Sequence, residues 1–307
     1  MSISKENIVQ AHQRISPYIL KTPVLNSKAL DQQLNCELFF KCENQQKIKA
    51  FKIRGAMNAV LLLPEHEKKK GVATHSSGNH AQAIALAAKT LGIKSWIVMP
   101  ENSSKIKVEG AKGLGAEIIF CKPTVADREK TLLEVLEKTG AIYLPPYNHE
   151  HIIAGQGTAA KELLTEVPGL NLLFAPVGGG GLLSGTALSA HYFSPNTSVY
   201  GCEPENADDA YRSFHSGKIE DLPEGKSTIA DGLRTTLGPI TFAIIKEHVK
   251  GILTVTEEEI ITAMKVIKEK LNQDIEPSSA VPVAALFKNK RLIAGKRVGI
   301  IISGGNV

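Results

Sequence analysis

The sequence predicts an α/β protein built on mostly parallel sheets, and three observations predict it. Strand-like and helix-like segments alternate from about residue 71 onward. The last apolar run, 297–302, suits a strand buried on both faces. Small-residue turns follow three of the apolar segments, where open α/β sheets bind ligands beyond the carboxyl ends of their strands. In order, residues 71–75 read as a short buried strand and 80–91 as an alanine-rich helix. Residues 94–99 read as strand, 105–112 as helix, 116–121 as strand, 127–138 as helix and 141–144 as strand. Pro145-Pro146 interrupts this series. A second set runs through a helix near 155–165, a strand ending at Val177, a helix from Leu182 and a strand at 198–202. Thr256 and Glu259 form a capping box, and Ile260, Ile261, Met264, Ile267 and Leu271 follow at helical spacing. Residues 278–287 read as another helix.

Composition bounds the function classes. The chain has 307 residues, 43% hydrophobic and 22% charged, as in ordinary globular proteins. The net charge of +5 is spread along the chain, and the run Lys68-Lys69-Lys70 beside Glu65 and Glu67 reads as a solvated helix end. No basic stripe with interleaved aromatics points to nucleic acid. No stretch approaches the ~18 apolar residues of a membrane span, and residues 1–6 lack the apolar core of a signal peptide. Cys36, Cys42, Cys121 and Cys202 have apolar neighbours and no C-x-x-C spacing, so buried free thiols in a reducing, cytoplasmic setting are expected. No segment beyond Val307 is available for a regulatory domain, and feedback control through one is not expected.

The chemistry starts from Gly178, Gly179, Gly180 and Gly181, which join the apolar run 172–177 to a helix start at Leu182. Bare backbone N–H groups at a helix start can converge on one anion. The spacing fits neither common nucleotide pattern. Leu182 stands where G-x-G-x-x-G needs its middle glycine, and Thr186 where a P-loop needs lysine. The alternative is a packing turn, in which each glycine costs roughly 0.5–1 kcal/mol relative to alanine. Lys52, in Phe51-Lys52-Ile53-Arg54-Gly55-Ala56, sits among apolar and small residues at a helix start. Desolvation and nearby cations lower a lysine's pKa and make it a nucleophile, and Lys49 and Arg54 are the expected neighbours. A phosphate cradle and a lysine nucleophile together suit a phosphorylated aldehyde.

These motifs, with Ser76-Ser77-Gly78-Asn79-His80 and Ser303-Gly304-Gly305-Asn306, resemble the fold-type II pyridoxal-phosphate enzymes. More narrowly, the chain resembles the serine/threonine dehydratase and serine racemase family from about residue 15 to its end. The resemblance implies two three-layer α/β/α domains of the tryptophan synthase β-like kind. Residues 1–65 and 148–307 would form a large cofactor domain, and 66–147 a small mobile domain that closes over substrate. It implies that Lys52 carries the cofactor as a Schiff base and shuttles the α-proton. Phe51 would pack near the ring, Asn79 would bond its phenolic oxygen, and Ser303 would face its nitrogen. Gly178, Gly179, Gly180, Gly181 and Leu182 would hold the phosphate. Ser76, Ser77, Asn79 and His80 would take the substrate carboxylate, with Ser77 as the opposite-face acid or base. For Ser303 the alternative is a plain strand-end turn, and for His80 a satisfied core histidine. A serine at the ring nitrogen makes a weaker electron sink than a carboxylate does. β-Elimination then outruns transamination.

The expected activity is dehydration and deamination of L-serine and L-threonine to a 2-oxo acid and ammonia. Serine racemase with side elimination and threo-3-hydroxyaspartate dehydratase are the alternatives, and a non-catalytic phosphometabolite-binding protein is a distant one. Arg128 matches an arginine that approaches a substrate's second carboxylate, or else starts a surface helix. Glu276 lies near the ring or caps the helix that follows. Glu203, Asp209 and the carbonyl of Ala207 match a Mg²⁺ or Ca²⁺ site in racemase-like members. The alternative there is an acidic helix start. A homodimer is expected by the same resemblance. The chain departs from the family at Ile48-Lys49-Ala50, where Thr-Gly-Ser is usual.

Overall fold

The computed structural model describes residues 3–307. Ten strands carry the fold: β1 (Val24–Leu25), β2 (Glu37–Cys42), β3 (Val72–His75), β4 (Ser95–Pro100), β5 (Glu117–Cys121), β6 (Ile142–Tyr143), β7 (Leu172–Pro176), β8 (Ser198–Pro204), β9 (Gly251–Val255) and β10 (Arg297–Ile302). They form a six-stranded sheet, β1-β2-β10-β7-β8-β9, and a four-stranded sheet, β5-β4-β3-β6. Every ladder is parallel except β1 with β2. Parallel strands are covered on both faces, which explains why β7 and β10 read as unbroken apolar runs. β10 lies between β2 and β7, and its Val298, Ile300, Ile301 and Ile302 are fully buried. The capping box at Thr256 starts the helix Glu257–Leu271 as its sequence requires.

The four-stranded sheet uses only residues 72–143, inside the segment expected to be the small domain. The helix expected near 155–165 is longer, Glu150–Glu166. It packs against the helix Lys52–Leu62 at glycine-only distance: a Cβ on Gly155 would lie 2.6 Å from the Arg54 carbonyl oxygen. A buried ion cluster fixes the same contact. Arg54 pairs with Glu43 at 2.7 Å and Glu162 at 2.8 Å, and Lys41 pairs with Glu162 at 2.6 Å. Lys41 also donates to Thr22 O, and Thr22 donates to Glu43. The charges balance, two of each sign, as buried ions require. The four cysteines are buried free thiols, and the 68–70 lysines sit at a short exposed helix end. No helix among the described residues is long and apolar enough to cross a membrane.

Candidate active site

β7 and β10 are parallel neighbours at the centre of the six-stranded sheet, so their C-terminal turns lie together at its carboxyl end. The β7 turn is the glycine run. Gly180 takes φ +88° and precedes the helix Gly181–Phe193, which has no side-chain cap. Among the described residues, no backbone N–H from 178 to 183 donates to a protein acceptor. Gly179 to Leu183 are buried, and buried donors need partners. Packing also demands these glycines. A Cβ on Gly178 would lie 3.0 Å from Leu233 Cα, one on Gly180 2.8 Å from Thr241 Cβ, and one on Gly179 would fall inside the Tyr147 ring. The Thr241 hydroxyl donates to Gly179 O at 2.8 Å and so directs the loop's N–H groups elsewhere. The close packing and the free donors hold together: the surroundings press the loop into a cradle that fits a phosphate. The cradle fits the group that the sequence implies.

Lys52 is half-buried and donates to Pro146 O at 2.8 Å, with its Nζ 5.2 Å from the Phe51 ring centre. Its pKa falls from an ordinary 10.5 to about 8 through burial, which Glu276 partly opposes. The cations expected beside it are not the cause. Arg54 is two residues on, about 200° around the helix, and is consumed by Glu43 and Glu162. Lys49 is exposed. Desolvation alone does what neighbouring charge was expected to do.

The β10 turn is stitched to the lysine. Phe51 N donates to Ser303 O at 3.0 Å, and Ala50 bridges Gly304. Ser303 is buried, with its hydroxyl 2.9 Å from that of Ser279, which itself donates to Gly304 O at 2.7 Å. The β3 turn carries the residues expected at a substrate carboxylate. Ser76, Ser77 and Asn79 are half-buried, and the N–H groups of Ser77, Asn79 and His80 meet no protein acceptor among the described residues. Asn79 Nδ2 donates to both Glu276 oxygens at 3.0 Å, and Asn79 Oδ1 accepts from Asn306 at 2.9 Å. Glu276 stands at the N-cap position of the helix Pro277–Lys288 but makes no side-chain cap bond; its carboxylate holds Asn79 instead. Burial raises its pKa, and the Asn79 bond opposes that. His80 is a core histidine with one partner, Leu144 O at 3.1 Å, and an unpartnered Nδ1. Burial first, and Lys52 second, drop its pKa to about 3, so it is neutral.

Sequence reading missed the segment 144–148, which ties these turns together. Leu144 O meets His80, Pro146 O takes Lys52, Tyr147 covers Gly179, and Asn148 accepts from Ile240 N at 2.9 Å. The signal was present: a Pro-Pro pair followed by an aromatic residue, just after a short half-buried strand.

Arg128 starts the helix Val125–Thr139 and donates to Thr124 O at 3.3 Å. It also lies close enough to His75 to help burial lower that imidazole's pKa. His75 directly precedes the β3 turn and hydrogen-bonds the Tyr143 hydroxyl at 3.0 Å. Glu203 is buried and accepts from Tyr211 N at 2.5 Å and Ala210 N at 3.3 Å. Asp209 is buried with Oδ2 unpartnered. Desolvation raises both carboxyls, Asp209 to about 7, and each feels neighbouring negative charge. No cluster of three or more His, Cys, Asp or Glu suited to a metal occurs among the described residues; any ion here would rest on two carboxylates and the buried Ala207 carbonyl.

Known proteins resemble this chain in sequence and in fold. The family model described as "Pyridoxal-phosphate dependent enzyme" matches residues 15–304. The chain is similar to serine racemase of Dictyostelium discoideum, 47% identical over 100% of this chain and 95% of the relative. That enzyme's solved structure superposes with a TM-score of 0.95 at 46% identity, covering 99% of each chain. The chain is equally similar to the β-hydroxyaspartate dehydratase of Paracoccus denitrificans, 47% identical over 98% of this chain and 96% of the relative. The structure of a threonine deaminase from T.th. superposes with a TM-score of 0.94 at 41% identity, covering 99% of this chain and 98% of that one. Matched along almost its whole length by that family model, and superposing on these relatives, the chain belongs to the pyridoxal-phosphate dependent enzymes of fold type II.

Proposed function

We propose that this chain is an ammonia-lyase that converts L-serine and L-threonine to a 2-oxo acid and ammonia, the water lost with the β-hydroxyl being returned when the enamine product hydrolyses. One observation carries the reading: a desolvated lysine pulled to about 8 bonds Pro146 O, and the next residue, Tyr147, lies against a glycine turn with a row of free N–H groups. Pyridoxal phosphate, when bound, supplies an aldehyde for amines and an electron sink for bonds at Cα. The N–H groups of 178–182 would hold its phosphate, with Ser303 and Asn79 at its ring. Lys52, largely neutral above about pH 8, can take and return a proton at Cα on its own face. The free N–H groups of Ser77, Asn79 and His80 suit the substrate carboxylate, with the Ser76 side chain at the same turn. Closure of 66–147 over 1–65 and 148–307 would exclude water from this turn.

Two observations favour neighbouring activities. The Ser77 hydroxyl stands at the carboxylate turn and can serve a second proton transfer, as a racemase needs. Arg128, beside His75, can meet a second carboxylate, as 3-hydroxyaspartate carries. A divalent cation, Mg²⁺ or Ca²⁺, would relieve the two buried carboxyls Glu203 and Asp209 and use the unpartnered Oδ2. Its role would be structural. The buried reduced thiols suit a cytoplasmic enzyme, and a homodimer is expected, which sedimentation decides.

The test is 2-oxo acid release from L-serine, L-threonine and threo-3-hydroxyaspartate, with chiral analysis of the remaining amino acid. Release from serine and threonine without D-serine supports the lyase and removes the racemase. Borohydride reduction with peptide mapping should place the cofactor on Lys52. No release from any substrate, with no label on Lys52, leaves the phosphometabolite-binding reading.

A further inference from the structure

Two consecutive non-glycine residues just before Lys52 have left-handed backbone: Ile48 at φ 60° and Lys49 at φ 52°. The other two such residues, Asn35 and Asn272, end helices, where asparagine takes this shape at little cost. Ile48 is β-branched and has no such excuse. Positions like these cost on the order of 1–3 kcal/mol and persist only when their surroundings over-determine them.

The surroundings are the end of the chain. Residues 48–51 run antiparallel to 303–306. Phe51 N donates to Ser303 O at 3.0 Å, Ala50 bridges Gly304, and Gly305 N donates to Lys49 O at 2.9 Å. Asn306 Nδ2 closes the ribbon with a 2.8 Å bond to Ile48 O. That amide has two protons, and the second goes to Asn79 Oδ1 at 2.9 Å. Asn79 has turned its own amide to the Glu276 carboxylate, so its oxygen is what remains for Asn306. Ile48 O and Asn79 Oδ1 thus both require donors, and one NH₂ group serves both.

We propose that Asn306 is a positioning residue: its side-chain amide locks the strained turn that carries Lys52 and sets that turn's distance from the carboxylate-binding turn at Asn79. The inference rests on the activity proposed above. The lock stands in place of a relaxed glycine-containing turn, since Lys49 occupies the usual glycine position. Release of the amide lets 48–49 relax to negative φ and swings Lys52, while Asn79 loses its second anchor.

The experiment compares Asn306→Ala, Asn306→Asp, Lys49→Gly and the Asn306→Ala/Lys49→Gly double variant. Each single Asn306 change should lower kcat roughly tenfold to a hundredfold, the scale of a misplaced catalytic group. KM should rise as well. Glycine takes φ 52° freely while Ile48 keeps its strain, so the double variant should recover part of the lost kcat and of the borohydride labelling of Lys52 while KM stays raised. A merely structural residue would move thermal stability and both constants together, without that split. The unloaded chain gives a readout independent of the cofactor: amide exchange at Phe51 should quicken in Asn306→Ala and slow again in the double variant. Unchanged exchange and labelling in Asn306→Ala, or no recovery in a folded double variant, overturns the proposal. Absent Lys52 labelling in the parent protein would instead overturn the proposed activity, with the exchange result still deciding the role of Asn306.

Discussion

Residues 178–182 and 76–80 both carry a strand into a helix through small residues, and neither helix has a side-chain cap. Both leave backbone N–H groups without protein acceptors. Their surroundings differ. Three of the four glycines at 178–181 are buried, and a Cβ at any of the four would meet a neighbour at 3.1 Å or less. Around Gly78 a Cβ would meet nothing within 4 Å, and the residues from 76 to 79 are half-buried. The same local recipe therefore yields a rigid socket in one sheet and an open turn in the other. A rigid socket suits an anion that stays through many turnovers, and an open turn suits one that enters and leaves. Two polar links join their surroundings, Asn79 with Glu276 and Asn306, and the ion pair of Lys107 with Asp231, beside the apolar packing of the helix Asn79–Leu91 on Lys52–Leu62.

The sharpest way to break the comparison is to add one methyl group to each turn. Gly179→Ala drives a Cβ into Tyr147, and overpacking of this kind costs about 1–3 kcal/mol. Affinity for pyridoxal phosphate, measured by equilibrium dialysis, should fall roughly fivefold to a hundredfold. Gly78→Ala should change the same affinity less than about twofold, because its added methyl enters free space. Equal losses in the two variants would erase the distinction between socket and open turn.

Ser77→Ala probes the open turn's chemistry. D-serine formation, if the parent enzyme shows it, should fall by about 10²-fold or more, and 2-oxo acid release by far less. The pH dependence of Lys52 probes the socket side. Burial depresses this amine, so its neutral form grows as pH rises through about 8 rather than 10.5. In the unloaded chain, reductive labelling of Lys52 by an aldehyde should therefore be half-maximal near pH 8; a midpoint close to the ordinary 10.5 would contradict its desolvation. The smallest effect expected is at the link. Lys107 and Asp231 are each more than a third exposed, so Lys107→Gln or added salt should raise KM only about twofold to threefold. A kcat loss without a KM change would assign that pair some task other than closure.

Much of this molecule is legible from short stretches of chain. The strand and helix alternation, the apolar centre of the large sheet and the capping box at Thr256 are local signals, read within a few residues. The glycine turn is legible for the same reason, since a bare loop between a strand and a helix carries its meaning in its own composition. The misreading beside Lys52 has the opposite cause. Lys49 and Arg54 are neighbours in sequence, but a helix turns by about 100° per residue, and Arg54 points into an ion cluster with Glu43 and Glu162. Glu276 reads equally well as a cap or a site residue, and only the partner, 197 positions away in the chain, decides between them.

From the sequence alone came the class of fold and the family, with the lysine and the glycine turn as the candidate site, because periodicity and small-residue turns act over short spans. Tertiary structure alone decided what lowers the lysine's pKa, which turn is closely packed and which open, and how Asn306 joins the turn before Lys52 to Asn79. Those properties depend on burial and on hydrogen bonds between segments hundreds of residues apart, which no local pattern encodes.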